Sequence, residues 1–240
     1  MFEEKGELLN TRIMVALDVE SREKALTLAR ALAGSDCWLK VGMELYAYAG
    51  LGIVEELKNL GFSVFLDLKL HDIPTTVQKT VTALVSGGAD MLNIHCSGGY
   101  DMMARSAEAA HLAGLKAGLA PKLIGVTVLT SMGEEQLHSE LGVERSLPSQ
   151  VQSLAELAQK AGLDGVVASA QEAAVLRKAM GEEFLLVTPG IRPSWSVAND
   201  QVRVLTPRQA IEAGSSYLVI GRPITQDPDP RGALARIWDN

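Results

Sequence analysis

The chain has 240 residues, with 22 Lys and Arg against 29 Asp and Glu for a formal net charge of −7, and 47% of its residues are hydrophobic. That length fits one large α/β domain, and the acidic balance argues against a surface that neutralises nucleic-acid phosphates, which needs a basic face. Its two cysteines, Cys37 and Cys96, lie outside any metal-ligand spacing, which excludes a disulfide framework and a structural zinc site.

The N-terminal stretch MFEEKGELLNTR is acidic and polar where a signal peptide is basic and then apolar, and no apolar run approaches the roughly 18 residues that span a bilayer. A cytoplasmic protein with no membrane or nucleic-acid partner is expected. From there, short apolar runs alternate with amphipathic stretches. IMVALDV (13–19) is followed by a helical stripe of Ala25, Leu28, Ala29 and Leu32, then CWLKVG (37–42) and SVFLDLKL (63–70). Pro74 suits a first helical turn ahead of the stripe Val77, Val81, Leu84. MLNIHC (91–96) and KLIGVTVL (122–129) come next, then the stripe Val151, Leu154, Ala155, Ala158. GVVAS (165–169), FLLVTPG (184–190) and YLVIG (217–221) complete eight strands. Gly34, Gly61, Gly87, Gly114 and Gly162 each follow a periodic segment and are expected at helix C-termini.

Alternating strands and helices imply parallel pairing through right-handed crossovers, and eight such units close into a (β/α)8 barrel spanning residues 1–240 as one domain. An open doubly wound sheet is the alternative, but the first strand runs into DVESREKA instead of a glycine-rich fingerprint. Two connections, 130–148 and 191–206, exceed the usual βα loop of about 2–6 residues and are expected over the barrel's C-terminal mouth, where long segments often cover ligand.

Parallel barrel strands are covered on both faces, so charges in them need a reason. Asp18 ends the first strand, Lys40 lies in the second, Asp67 and Lys69 lie in the third, and Asp72 follows in LKLHDIP. Residues two apart share a strand face, which places Asp67 and Lys69 together, about 7 Å apart along the strand. Five such ions converging as a purely structural network would each bear a desolvation cost for little stability, so a working site is the better reading. Alternation of sign keeps each carboxylate ionised. Across the mouth, VTPGIRPS (187–194) and VIGRPIT (219–225) each set a glycine before an arginine, Arg192 and Arg222, the arrangement of a monophosphate seat after the last two strands.

Other positions carry weaker signals. Thr130 and Ser131 follow the fifth strand and can hydrogen-bond a polar ring or sugar. His95 reads as a satisfied buried residue and His71 has no second histidine at metal spacing. His111, His138, Asp101 and Ser106 read as solvated positions.

The string FLDLKLHDIPTTV (65–77), with Asp67, Lys69 and Asp72 as D-x-K-x-x-D before Ile-Pro, resembles the signature of the orotidine 5′-phosphate decarboxylase family. The likeness extends through VALDV, LKVGMEL, VTVLTSM, TPGIRP and VIGRPIT. It implies conversion of orotidine 5′-monophosphate to uridine 5′-monophosphate and CO2, the last step of de novo pyrimidine synthesis, without cofactor or metal, by a homodimer. On the family pattern, Lys69 donates a proton to C6 of the pyrimidine and Asp67 sits beside the departing carboxylate. Lys40 and Asp18 meet the ribose hydroxyls, with Lys40 also in the charge network. Asp72 and Thr76 reach the partner subunit's site. Thr130 and Ser131 meet the base or a covering loop, while Gln201, Gly221, Arg222 and Arg192 bind phosphate. A related Mg2+-dependent family acting on keto-sugar phosphates shares D-x-K-x-x-D but has a glutamate where this chain has Lys40. A catalytically silent nucleotide-binding barrel is a third reading, disfavoured because all five charges are present.

Overall fold

A computed structural model describes residues 10–195 and 205–238. Eight strands form the wall of a closed parallel barrel in sequence order: β1 (Ile13–Ala16), β2 (Trp38–Gly42), β3 (Ser63–Leu70), β4 (Met91–His95), β5 (Lys122–Val126), β6 (Gly165–Val167), β7 (Leu185–Thr188) and β8 (Tyr217–Ile220). Register runs Ala16 to Lys40, Lys40 to Phe65 and Gly42 to Asp67, and β8 closes the ring on β1 through Val219 and Met14.

These strands are near-continuous apolar runs because both faces are covered. Met14, Phe65, Met91, Ile124 and Val187 fill the barrel interior, joined by Trp38, Val167, Tyr217 and Val219. Alternate residues such as Val15, Leu39, Val64, Leu92 and Leu123 instead join the larger core shared with the helices. The interior is therefore packed rather than open, and chemistry is left to the rim.

The helices are α1 (Arg22–Ala31), α2 (Met43–Ala49), α3 (Gly52–Asn59), α4 (Pro74–Ser86), α5 (Gly99–Ala117), α6 (Glu134–Ser139), α7 (Leu147–Lys160), α8 (Ala173–Met180), α9 (Pro207–Glu212), α10 (Arg222–Thr225) and α11 (Pro230–Ala235). Their buried stripes follow the sequence period: Ala25 and Ala29, Val77, Val81 and Leu84, Val151, Ala155 and Ala158. Pro74 opens α4 as expected. No described helix is long and apolar enough to cross a membrane.

Gly87 caps α4 as expected, although with φ −81, and the left-handed turn is made by Gly88 at φ 97. Gly114 departs from the expected role: it lies inside α5, which runs on to Ala117 and is capped by Gly118 at φ 68. At Gly114 the absent side chain makes room for Pro121, whose Cδ would lie 2.5 Å from a Cβ. Gly34, Gly61 and Gly162 do adopt positive φ, at 74, 91 and 83.

The N-terminal face is tied by a repeated device. Asp90 accepts the Val64 N–H at 2.8 Å and pairs with Lys58 at 2.6 Å, and Asp164 accepts the Leu123 N–H at 2.8 Å and pairs with Lys122 at 3.1 Å. Each aspartate precedes a strand and anchors its neighbour, which steadies the end of the barrel away from the mouth. Of the two long connections, 130–148 contains α6, anchored by buried Leu137, while residues 196–204 of the other lie outside the described residues.

Candidate active site

Four of the five charges meet at the C-terminal rim of β1, β2 and β3. The Lys40 ammonium lies 3.0 Å from Asp18 Oδ1 and 3.3 Å from Asp67 Oδ2, and the Lys69 ammonium lies 2.6 Å from Asp67 Oδ1. Lys40 is only 6% exposed, while the Asp18 side chain remains 59% exposed, so the chain of ions runs from solvent into the barrel mouth.

A backbone irregularity sets the last contact. Strict alternation would leave Asp67 and Lys69 side by side along the strand, but the pairing of β3 with β4 shifts register between Leu66 and Leu70. Lys69 sits in the left-handed region at φ 51, a conformation whose strain is on the order of 1–3 kcal/mol for a residue with a Cβ. Buried Asn93 holds it there. Its Oδ1 accepts the Lys69 N–H at 2.7 Å and its Nδ2 donates to Asp67 Oδ1 at 2.7 Å. One amide thus orients both partners, which is the support a preorganised site requires.

Burial pushes the Asp67 carboxyl up, but Lys40, Lys69 and the Asn93 amide together hold it below the usual carboxylate range. It is ionised at neutral pH, in agreement with the alternation of sign. Gly42, opposite Asp67, keeps the space clear: a Cβ there would come 3.0 Å from Lys40 Nζ and 3.1 Å from Asp18 Oδ1.

Asp72 does not join this network within the chain. It is exposed, and its Oδ1 accepts the Ile73 N–H at 2.7 Å. Thr76 is likewise exposed, in the first turn of α4. On the far side of the mouth, Gly190 adopts φ 78, and Gly221 lies beside β1, where a Cβ would stand in ordinary contact 3.4 Å from Ala16 Cβ and 4.0 Å from Asp18 Oδ2. The eighth strand's glycine therefore borders the charged cluster. Arg222 opens α10 and is exposed, and the Arg192 N–H donates to the Leu205 carbonyl at 3.3 Å. Gln201 lies outside the described residues. Thr130 and Ser131 line a cavity of about 760 Å³ together with Ser169, Pro189 and Gly190. That cavity covers the β5–β7 side of the rim, whereas the ions occupy the β1–β3 side.

Sequence reasoning does not single out Asn93 or Gly42. An asparagine inside an apolar barrel strand is the available signal for Asn93, whereas Gly42 reads as an ordinary strand-end glycine. The same reasoning misplaces Ser106, which is fully buried and donates to the Met102 carbonyl at 2.7 Å, an internal helix bond that removes the need for water. His71 and His95, separate features of the sequence, lie ring to ring with centroids 5.4 Å apart.

A model of the family described as orotidine 5′-phosphate decarboxylase / HUMPS matches residues 11–237. Curated relatives named orotidine 5′-phosphate decarboxylase, from Pseudoalteromonas translucida and Chromohalobacter salexigens, are 54% and 52% identical over 94% and 95% of this chain and 95% of each relative. Among solved structures, orotidine 5′-phosphate decarboxylase from Lactobacillus acidophilus superposes with a TM-score of 0.82 at 38% identity, covering 95% of this chain and 97% of that one.

Proposed function

The chain belongs to the orotidine 5′-phosphate decarboxylase / HUMPS family, and on that premise we propose that the Asp18–Lys40–Asp67–Lys69 cluster is where it converts orotidine 5′-monophosphate to uridine 5′-monophosphate and CO2, the last step of de novo pyrimidine synthesis. One observation carries the site assignment: the Lys69 ammonium is fixed 2.6 Å from an ionised, largely buried Asp67.

When the bond from C6 to the carboxylate breaks, its electron pair stays on C6 in an sp2 orbital that the ring cannot delocalise. A cation already in place stabilises that charge without reorganising, and Lys69 supplies it from a strand rather than a loop. Lys69 then transfers a proton to C6 and is reprotonated from solvent. Each 1.36 kcal/mol taken from the barrier is roughly tenfold in rate, so one such cation contributes several powers of ten and other terms add to it. Asp67 beside the substrate carboxylate contributes a smaller effect, a repulsion that is relieved as CO2 leaves.

In this reading Asp18 and Lys40 bind the ribose hydroxyls, and Thr130 and Ser131 meet the base. Gly221, Arg222, Arg192 and Gln201 grip the phosphate, where binding energy remote from C6 is returned as rate. The working unit is a cytoplasmic homodimer in which Asp72 and Thr76 complete the partner subunit's site. Exposed Met43, Ile73 and Tyr100, which follow β2, β3 and β4 in the chain, supply apolar surface for that contact. The reaction draws on no cofactor. The keto-sugar-phosphate alternative is weaker because Lys40 places an ammonium between Asp18 and Asp67, where the Mg2+-dependent set has a carboxylate.

Incubating the purified protein with orotidine 5′-monophosphate and following its ultraviolet absorbance should show turnover. Lys69→Ala should reduce that turnover by at least about 10³-fold with the fold intact by circular dichroism. Near-normal turnover in the variant would remove Lys69 from the chemistry.

A further inference from the structure

Near Lys69 the ends of β3 and β4 bring together two histidine rings that the mechanism above does not use. His95 ends β4 two residues beyond Asn93, so both side chains leave the same strand face. Asn93 already holds the Lys69 N–H and Asp67, and His95 continues that face one step nearer the mouth. His71 comes two residues after the irregular backbone at Lys69, and its ring lies 5.4 Å from that of His95 with 35° between planes. The turn at Cys96–Gly98 backs the His71 ring so tightly that a Cβ at Gly98 would come 3.3 Å from its Cδ2.

We propose that His71 and His95 are a positioning pair for Lys69: two facing rings beside the strand end that carries the ammonium, which keep its charge directed at Asp67 and the reacting carbon. The inference rests on Lys69 being the proton donor.

The charges acting on His95 are those of His71 and Lys69, both cationic when protonated. Among the described residues no carboxylate offsets them. Asp67 is engaged by Lys40, Lys69 and Asn93, Asp72 accepts from the Ile73 N–H, and Asp101 on α5 pairs with Arg105. The β5 neighbour of His95 is Val126, which carries no charge. Burial first, then His71 and Lys69, hold the His95 imidazole below its ordinary value, so that ring is neutral at neutral pH. Acidification puts a like charge beside Lys69 and turns the ammonium away from its working direction.

Two measurements test this. His95→Ala should lower kcat about tenfold at neutral pH with little change in KM, and His95→Gln should recover most of the loss. In the wild type kcat should also fall as the pH drops below the ordinary histidine value, and the Gln variant should lose that dependence. Substrate phosphate titrates in the same range but does so equally for both proteins. By NMR, the His95 ring should titrate below an ordinary histidine and move up in Lys69→Ala, a readout that needs no activity. Identical kcat–pH profiles for wild type and His95→Gln, or a His95 titration unmoved by Lys69→Ala, would overturn the pairing. Retained turnover in Lys69→Ala would instead overturn the proton-donor assignment, whatever the rings do.

Discussion

Lys40 is nearly inaccessible to water, yet its ammonium has carboxylates at 3.0 and 3.3 Å on two sides. Removing one ion from such a set leaves its neighbours buried and uncompensated, which is why these positions tolerate little change whether or not they touch substrate. Arg222 is the opposite case: exposed at the start of α10, it is not part of that buried set. Its loss should therefore leave the fold alone and act on substrate only. Arg222→Ala is expected to lower kcat/KM for orotidine 5′-monophosphate by about 10²-fold or more, and to change it far less for the phosphate-free nucleoside, as steady-state kinetics on the two substrates will reveal. Equal losses on both would place Arg222 elsewhere in the mechanism.

Among the elements, β3 is the one whose local irregularity has a chemical outcome. Without the shift between Leu66 and Leu70, Lys69 would follow plain alternation; with it, Asn93 on β4 fixes the Lys69 backbone and the Asp67 carboxylate at once. β6 shows the contrary constraint, where irregularity has no room. Gly165 pairs with Leu185, and a Cβ on it would lie 2.2 Å from the Leu185 carbonyl oxygen. Backbone cannot yield there as a side chain can. Gly165→Ala should cost about 3 kcal/mol and lower Tm by roughly 6–12 °C in a thermal melt. An unchanged Tm would mean that β6 and β7 separate more easily than their register implies.

For the whole molecule, the open question is where Asp72 works. Within one chain it points at its own loop, while the exposed Ile73 beside it faces outward. A two-fold dimer pairing these surfaces makes each site a composite, and composite sites complement. Lys69→Ala and Asp72→Ala should each be inactive alone. Unfolded together and refolded as a mixture, they should recover on the order of a quarter of wild-type activity, because half the dimers are hybrid and each hybrid has one intact site. No recovery in verified hybrids would return Asp72 to its own subunit.

The chain's pattern by itself determined the barrel, because eight β-branched runs separated by helical stripes leave one economical closure, and it picked out charges that the structure brings together, because ions inside doubly covered strands require a purpose. It was silent where meaning depends on what another strand brings. Asn93 is an ordinary polar residue until β3 shifts beside it, Gly114 is a helix end until Pro121 packs on it, and His71 and His95 are separate residues until the barrel sets their rings side by side. Periodicity is local and survives in one dimension. Register, close approach and the pairing of distant side chains arise only when the sheet closes, and here they decided how the Lys69 cation is held.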